Sequence, residues 1–194
     1  MKAELRNIIR TKKRQFTKQQ LGELSLDIIK KLEEHPRFKE ARIVLLYYSL
    51  PDEVCTHQLI ERIKGKTILL PKVTGEGTME LRQYTGRKDM ASGAYGIKEP
   101  VGKTFTDYGK IELAVIPGMA FDSQCHRLGR GKGYYDRFLA QTPDIYKIGI
   151  CFGFQIVEKV PVEKTDITMD CIITELSVLN KNGYHKSPVC QHGD

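Results

Sequence analysis

RIVLLYY, Arg42 to Tyr48, is after its arginine an unbroken run of aliphatic and aromatic residues. That pattern marks a strand covered on both faces rather than one with a wet side. The same signal recurs at Thr67 to Val73, Met79 to Tyr84, Glu112 to Pro117, Tyr146 to Phe152 and Ile167 to Thr174. Between these runs the period changes to that of a helix. Residues 2 to 14 set Leu5, Ile8 and Ile9 on an apolar side, and Lys2, Arg6, Arg10 and Lys13 fall at spacings of four, four and three on a shared face. Thr17, with Gln20 three residues on, opens a second helix whose stripe is Leu21, Leu24, Ile28 and Leu32, and His35-Pro36 stops it. His57 to Lys64 reads as a short helix closed by Gly65. Strands alternating with helices predict an α/β fold whose sheet is largely parallel and flanked by helices. From Gly86 to Lys110 the periodicity fails among glycines 86, 93, 96, 102 and 109, which predicts irregular wrapping around the sheet rather than a separate domain.

The length of 194 residues, with 40% hydrophobic and 28% charged side chains, predicts one domain over 1–194 with a core large enough to need no disulfide or structural metal. Residues 1–35 form its basic helical pair, and residues 181–194 are expected to fray. No apolar run reaches the roughly 20 residues of a bilayer span, so no membrane partner is expected. Met1 to Gln20 is too charged for a secretory signal. Five cysteines (55, 125, 151, 171 and 190), odd in number and never CxxC, predict reduced thiols and a cytoplasmic protein. Cys190 with His185 and His192 can be imagined as metal ligands, but a polar tail explains them more simply. The net charge of +7 is lopsided: residues 1–18 hold seven basic residues against Glu4. Such a segment draws an anion, whether nucleotide, acidic substrate or nucleic acid, although a basic helix face is also an ordinary solvated surface.

The chemistry concentrates in FDSQCHRLGRGKGYYDR, Phe121 to Arg137, between a buried strand and a helix running through Leu139. Strand, glycine loop and helix make the layout of a phosphate cradle. Gly129, Gly131 and Gly133 alternate with Arg130 and Lys132, flanked by Arg127 and Arg137, with Asp136 three residues past the last glycine. Backbone N–H groups and these cations together suit a polyphosphate. The spacing is neither a Walker loop, since His126 and Gly133 stand at its glycine and Ser/Thr positions, nor GxGxxG. A bare glycine turn with solubilising charges is the alternative.

The string RLGRGKGYYDR, preceded by Phe121-Asp122, resembles the signature of the 5-formyltetrahydrofolate cyclo-ligase (5,10-methenyltetrahydrofolate synthetase) family. The resemblance extends to Lys2 with Leu5-Arg6, to Tyr48–Thr56, to Leu70-Pro71-Lys72, to Tyr95–Pro100 and to Val115–Ala120. Cys55 and Cys125 depart from the family's usual residues and receive no role. The resemblance implies a three-layer fold similar to CoA-transferases and ribose-phosphate isomerases, and ATP-dependent cyclisation of 5-formyltetrahydrofolate to 5,10-methenyltetrahydrofolate with release of ADP and phosphate. It implies ATP as co-substrate, Mg²⁺ as cofactor, and a folate with or without a polyglutamate tail; a monomer that binds no nucleic acid is expected.

By the same resemblance, Lys2, Ala3, Glu4, Leu5 and Arg6 reach the nucleotide, together with Arg127, Leu128, Gly129, Arg130, Gly131, Lys132, Gly133, Tyr134 and Tyr135. Arg130 and Lys132 are the expected catalytic cations. Arg6, Tyr48, Glu53, Arg130, Gly131, Lys132, Gly133 and Tyr134 are expected at the folate, and Asp136 and Asp170 at the metal. Each has a plainer alternative. Asp136 suits a helix dipole, Asp170 a strand-end turn, Glu53 the start of the helix near Thr56, and a lone tyrosine is often core. His126 reads as a structural imidazole beside the loop. Two rival functions stand beside this one: an ATP enzyme acting on another small anion, and a nucleic-acid module using the first helix. The second lacks tryptophan, interleaved aromatics and any recognised motif.

Overall fold

A computed structural model describes residues 1–93, 97–181 and 183–184. Most of the tail predicted to fray, with His185, Cys190 and His192, lies outside the described residues, as do Tyr95 and Gly96. The helices are α1 (Lys2–Lys13), α2 (Lys18–Glu34), α3 (Pro36–Glu40), α4 (His57–Arg62) and α5 (Tyr134–Ala140). The strands are β1 (Ile43–Leu45), β2 (Thr67–Gly75), β3 (Thr78–Tyr84), β4 (Met90–Ser92), β5 (Lys98–Pro100), β6 (Thr104–Phe105), β7 (Leu113–Ile116), β8 (Ala120–Phe121), β9 (Arg127–Leu128), β10 (Tyr146–Ile150), β11 (Cys171–Ile173), β12 (Val178–Asn180) and β13 (Gly183–Tyr184).

Nine of these strands form one sheet in the order β13-β12-β11-β10-β7-β1-β2-β3-β6. Its five middle strands, β11-β10-β7-β1-β2, are parallel, with Val44 of β1 between Ile68 and Leu113. The outer strands at both edges are antiparallel. Successive side chains point to opposite faces, so Val44 and Leu46 enter one core while Leu45 enters the other. On the first face Ile28 and Leu32 of α2, Phe38 of α3 and Leu59 and Ile60 of α4 pack against Leu70, Val115 and Ile148. The second face receives Phe138 and Leu139 of α5 against Leu69, Ala114, Ile116 and Ile172. These layers are the predicted α/β architecture.

Local signals explain most boundaries. The capping box forms, with Thr17 Oγ1 accepting from Gln20 N at 3.1 Å and Gln20 Oε1 accepting from Thr17 N at 2.8 Å. Pro36 does more than end α2: it is the first residue of α3, where its missing N–H costs nothing. The strand expected from Ile167 begins only at Cys171, because the Ile167 and Met169 N–H groups donate to Asp136 Oδ1 and the Cys125 carbonyl. The segment expected to be irregular holds short strands: β4 pairs with β5, and β6 extends the main sheet beside β3.

α1 does not lie on the sheet. Its fully buried Ile9 packs with Met119, Ala120, Leu128 and Val160 around the β8–β9 hairpin. This seats the amino-terminal basic residues above the carboxyl ends of the parallel strands, where open α/β sheets have their crevice.

The fully buried ring of Phe121 lies against Gly149 in β10, and a Cβ built there would sit 2.5 Å from the ring. Gly149→Ala overpacks this site and is expected to cost about 1–3 kcal/mol. Urea unfolding should show a lower midpoint at unchanged slope.

Candidate active site

A cleft of about 1340 Å³ opens over those strand ends. Its walls are one side of α1, the loop after β1, the carboxyl half of β2, β5, the glycine loop and the turn at residues 163–167. The glycine loop takes its shape from Gly131 at φ +107° and Gly133 at φ +69°, values that a Cβ would strain. Its near side is fastened to α1, since Arg6 Nε donates to the Gly129 carbonyl at 2.8 Å. On its far side the Arg137 guanidinium donates to the Lys132 carbonyl and, at 2.9 Å, to that of Gly77 in the β2–β3 turn.

Two arginines of the loop have different surroundings. Arg127 is buried under it: Nη2 pairs with Asp136 Oδ2 at 2.7 Å, Nη1 donates to the Pro117 carbonyl at 3.1 Å, and the guanidinium sits 5.6 Å from the Tyr135 ring centroid. Its Nε is a buried donor without a partner among the described residues. Arg130 reaches across the cleft. Its Nη2 donates to Asp52 Oδ1 at 2.6 Å and its Nε to Glu53 Oε1 at 3.0 Å. Glu53 Oε2 accepts from Leu50 N at 2.9 Å.

Behind this pair the buried Lys13 Nζ donates to the Asp52 carbonyl at 2.6 Å and lies 3.1 Å from its Oδ2. Burial pushes the Lys13 ammonium down. Burial also works to raise the Asp52 carboxyl, but the charges of Lys13 and Arg130 outweigh it and hold the group below its usual range. Tyr48 stacks on His57 with centroids 3.9 Å apart. At the helix end Lys2 Nζ pairs with Asp166 at 2.6 Å and Glu163 at 3.1 Å. Lys132 and Lys72 line the cleft with no ion pair among the described residues.

The cleft therefore gathers Lys2, Ala3, Arg6, Tyr48, Glu53 and every residue from Arg127 to Arg137. Three expected residues are not brought there. Glu4 is exposed in a shallow depression with Asn7, Ile8, Thr11 and Lys12, and Leu5 packs against the Ile9 cluster. Successive helix residues are turned about 100° from one another, so five consecutive residues cannot all face one ligand. Asp170 sits at the amino end of β11, the opposite end from the cleft. It accepts from Lys147 N at 2.7 Å and pairs with Lys147 Nζ at 3.0 Å, so it does not join Asp136 as an ion ligand. The strand-end reading of Asp170 is the one its contacts match. His126 lies off the cleft, 3.0 Å from the buried Asp122 carboxylate, which also accepts from Val160 N at 2.9 Å.

Sequence reasoning missed Lys13, Asp52, Lys72 and the 163–167 turn as parts of the site. Asp52 adjoins a residue that was singled out, whereas nothing in the basic face of α1 distinguished its buried lysine from its solvated Arg10.

A loop of alternating glycines and cations facing a carboxylate pair over a parallel sheet is a specific arrangement, and residues 1–175 match the 5-formyltetrahydrofolate cyclo-ligase family. The chain belongs to this family. A probable cyclo-ligase of Schizosaccharomyces pombe is 31% identical over 92% of this chain and 97% of its own. The cyclo-ligase of Escherichia coli K12 is 29% identical over 88% of this chain and 98% of its own. Among solved structures, the 5,10-methenyltetrahydrofolate synthetase of Aquifex aeolicus, determined by NMR, superposes with a TM-score of 0.83 at 32% identity, covering 100% of this chain and 99% of that one. The synthetase of Mycoplasma pneumoniae gives 0.72 at 25% identity, covering 90% and 98%. The cyclo-ligase match thus spans α1, the cleft and β11.

Arg127 and Lys132 should separate cleanly in stability. Arg127→Ala strands the Asp136 carboxylate and empties a buried site, for an expected loss of about 3 kcal/mol. Lys132→Ala, at an exposed position, should stay within about 0.5 kcal/mol of the parent in the same urea titration.

Proposed function

We propose that this cleft binds ATP and 5-formyltetrahydrofolate side by side and closes the five-membered ring of 5,10-methenyltetrahydrofolate, releasing ADP and phosphate. One observation supports this above the rest. Arg130 spans from the glycine loop to Glu53 at 3.0 Å, so a triphosphate on the loop and a pterin on Glu53 would meet at one cation.

The chemical difficulty is that a formamide oxygen is a poor leaving group. Transfer of the γ-phosphoryl group to the formyl oxygen cures this: the bond from phosphorus to the ADP oxygen breaks and one to the formyl oxygen forms. The nitrogen at position 10 then attacks the formyl carbon and gives up its proton. Phosphate leaves with the formyl oxygen, and a cyclic amidinium remains. Such a transfer asks for alignment and positive charge around the phosphoryl oxygens rather than for a protein nucleophile. Lys132, Lys72 and Arg6 supply that charge along the cleft, and Arg130 lies nearest the junction of the two substrates. Glu53 accepts the paired hydrogen bonds of the aminopyrimidine edge, with Tyr48 and Tyr134 along the walls. Arg127 acts from below by fixing Asp136 and the loop.

Mg²⁺ commonly rides on phosphate oxygens with one or two carboxylates and several waters. Asp136 fits that use: it lines the cleft, and its two oxygens are already oriented by Arg127 and by Ile167 N at 3.1 Å. Among the described residues no cluster of three or more ligating side chains exists, so the phosphates would complete the coordination. The ion would shield the charge on the transferring group.

No described helix is long and apolar enough to cross a membrane. Cys55, Cys125, Cys151 and Cys171 are free thiols, as a reducing cytoplasm would keep them.

Mixing the protein with MgATP and 5-formyltetrahydrofolate should yield the methenyl chromophore and ADP in equal amounts, with no turnover when the metal is chelated. Lys132→Ala should lower kcat about 10²–10³-fold. Asp136→Asn tests the metal position better than Asp136→Ala, because it keeps an acceptor for Arg127. ADP formed without the chromophore would mean a different acceptor.

A further inference from the structure

Asp52 takes part in none of those steps, yet it holds the centre of a chain of four charges: Lys13, Asp52, Arg130 and Glu53. Lys13 clamps it from behind with a side chain only 4% exposed. On the other side its Oδ1 takes Arg130 Nη2 at 2.6 Å, while Nε of the same guanidinium goes to Glu53 Oε1 at 3.0 Å. The two acceptors differ in what they must do next. An aminopyrimidine edge donates two parallel hydrogen bonds and needs an acceptor site on each Glu53 oxygen; Oε2, taken once by Leu50 N, still has one, but Oε1 faces both Nε at 3.0 Å and Nη2 at 2.9 Å of Arg130. A pterin must therefore displace Arg130 from Glu53. Asp52 faces no such competitor and can keep Nη2 throughout. Arg130 is 40% exposed and Asp52 38%, so solvent reaches the Arg130 contacts and they can be exchanged, whereas Lys13 behind them, 4% exposed, holds Asp52 in place.

We propose that Asp52 is a positioning residue for Arg130, and that the Arg130–Glu53 contact couples the two substrates: a pterin seated on Glu53 releases the guanidinium to the nucleotide phosphates while Asp52 keeps it over the glycine loop. This rests on the substrate assignment above. The coupling is reciprocal by linkage, so each ligand tightens the other, and the usual size of such effects is about 5–150-fold.

Calorimetric titration of the full chain with a non-hydrolysable MgATP analogue, with and without saturating 5-formyltetrahydrofolate, measures it. In the parent protein the folate should lower the nucleotide Kd at least about fivefold. Glu53→Gln, which leaves the Lys13–Asp52 contact alone, should bind the nucleotide more tightly than the parent when no folate is present. Asp52→Asn should bring the folate-induced gain close to one, and Asp52→Glu should restore part of it. A merely structural Asp52 would shift the melting temperature and leave that ratio at the parent value. The proposal is overturned if both ligands bind the parent protein independently, or if Asp52→Asn and Glu53→Gln keep the parent ratio. Absence of nucleotide binding altogether would remove the substrate assignment as well, which the chromophore assay reports separately.

Discussion

Arg127 lies buried beneath the loop that it begins, tied at once to Asp136 on α5 and to the carbonyl of Pro117 after β7. A cation in that position has to be paired, because an unpaired charge out of water is costly. Asp136 meets the requirement and, with its other oxygen, takes the N–H of Ile167, which would otherwise have begun a longer strand. One ion pair therefore joins the central sheet, the helix after the glycine loop and the turn closing the cleft. The loop's positive φ angles define a shape, and this pair holds that shape against the sheet.

Charge in the cleft is consequently divided by burial. Lys13 and Arg127 are spent on structure, and Arg6 and Arg137 fasten the loop through backbone carbonyls. Lys132 and Lys72 remain turned to the cavity. Net charge alone would have counted all of them as attraction for an anion. A sheltered cation matched to a carboxylate contributes little to the field a ligand meets, whereas an exposed one draws the ligand in but is screened by salt.

The fold was legible because its strands are covered on both faces, and RIVLLYY carries that fact without any partner in view. Helix starts were legible where side chains do the capping, as Thr17 and Gln20 do. The short strands β4, β5 and β6 were not, since pairing at a sheet edge depends on neighbours rather than on an apolar run. At the site, the glycine loop could be found from residue types at fixed spacing, and Glu53 through the family resemblance. Asp170 was misplaced because spacing along the chain does not say at which end of a strand a residue falls. Lys13 and Asp52 stayed hidden for a related reason: their meaning arises from contact between residues 39 positions apart, and nothing local announces it.

The docking of α1 also bears on how the polypeptide is made. Lys2 meets Asp166 across 164 positions and Arg6 meets Gly129 across 123, so the seat of α1 is completed only by residues far along the chain. Closing loops of that size is slow compared with forming neighbouring contacts. Of the contacts that hold α1, only that between Lys13 and Asp52 joins near parts of the chain; the hydrogen bonds that seat its basic end wait for residues 129 and 166 to be made.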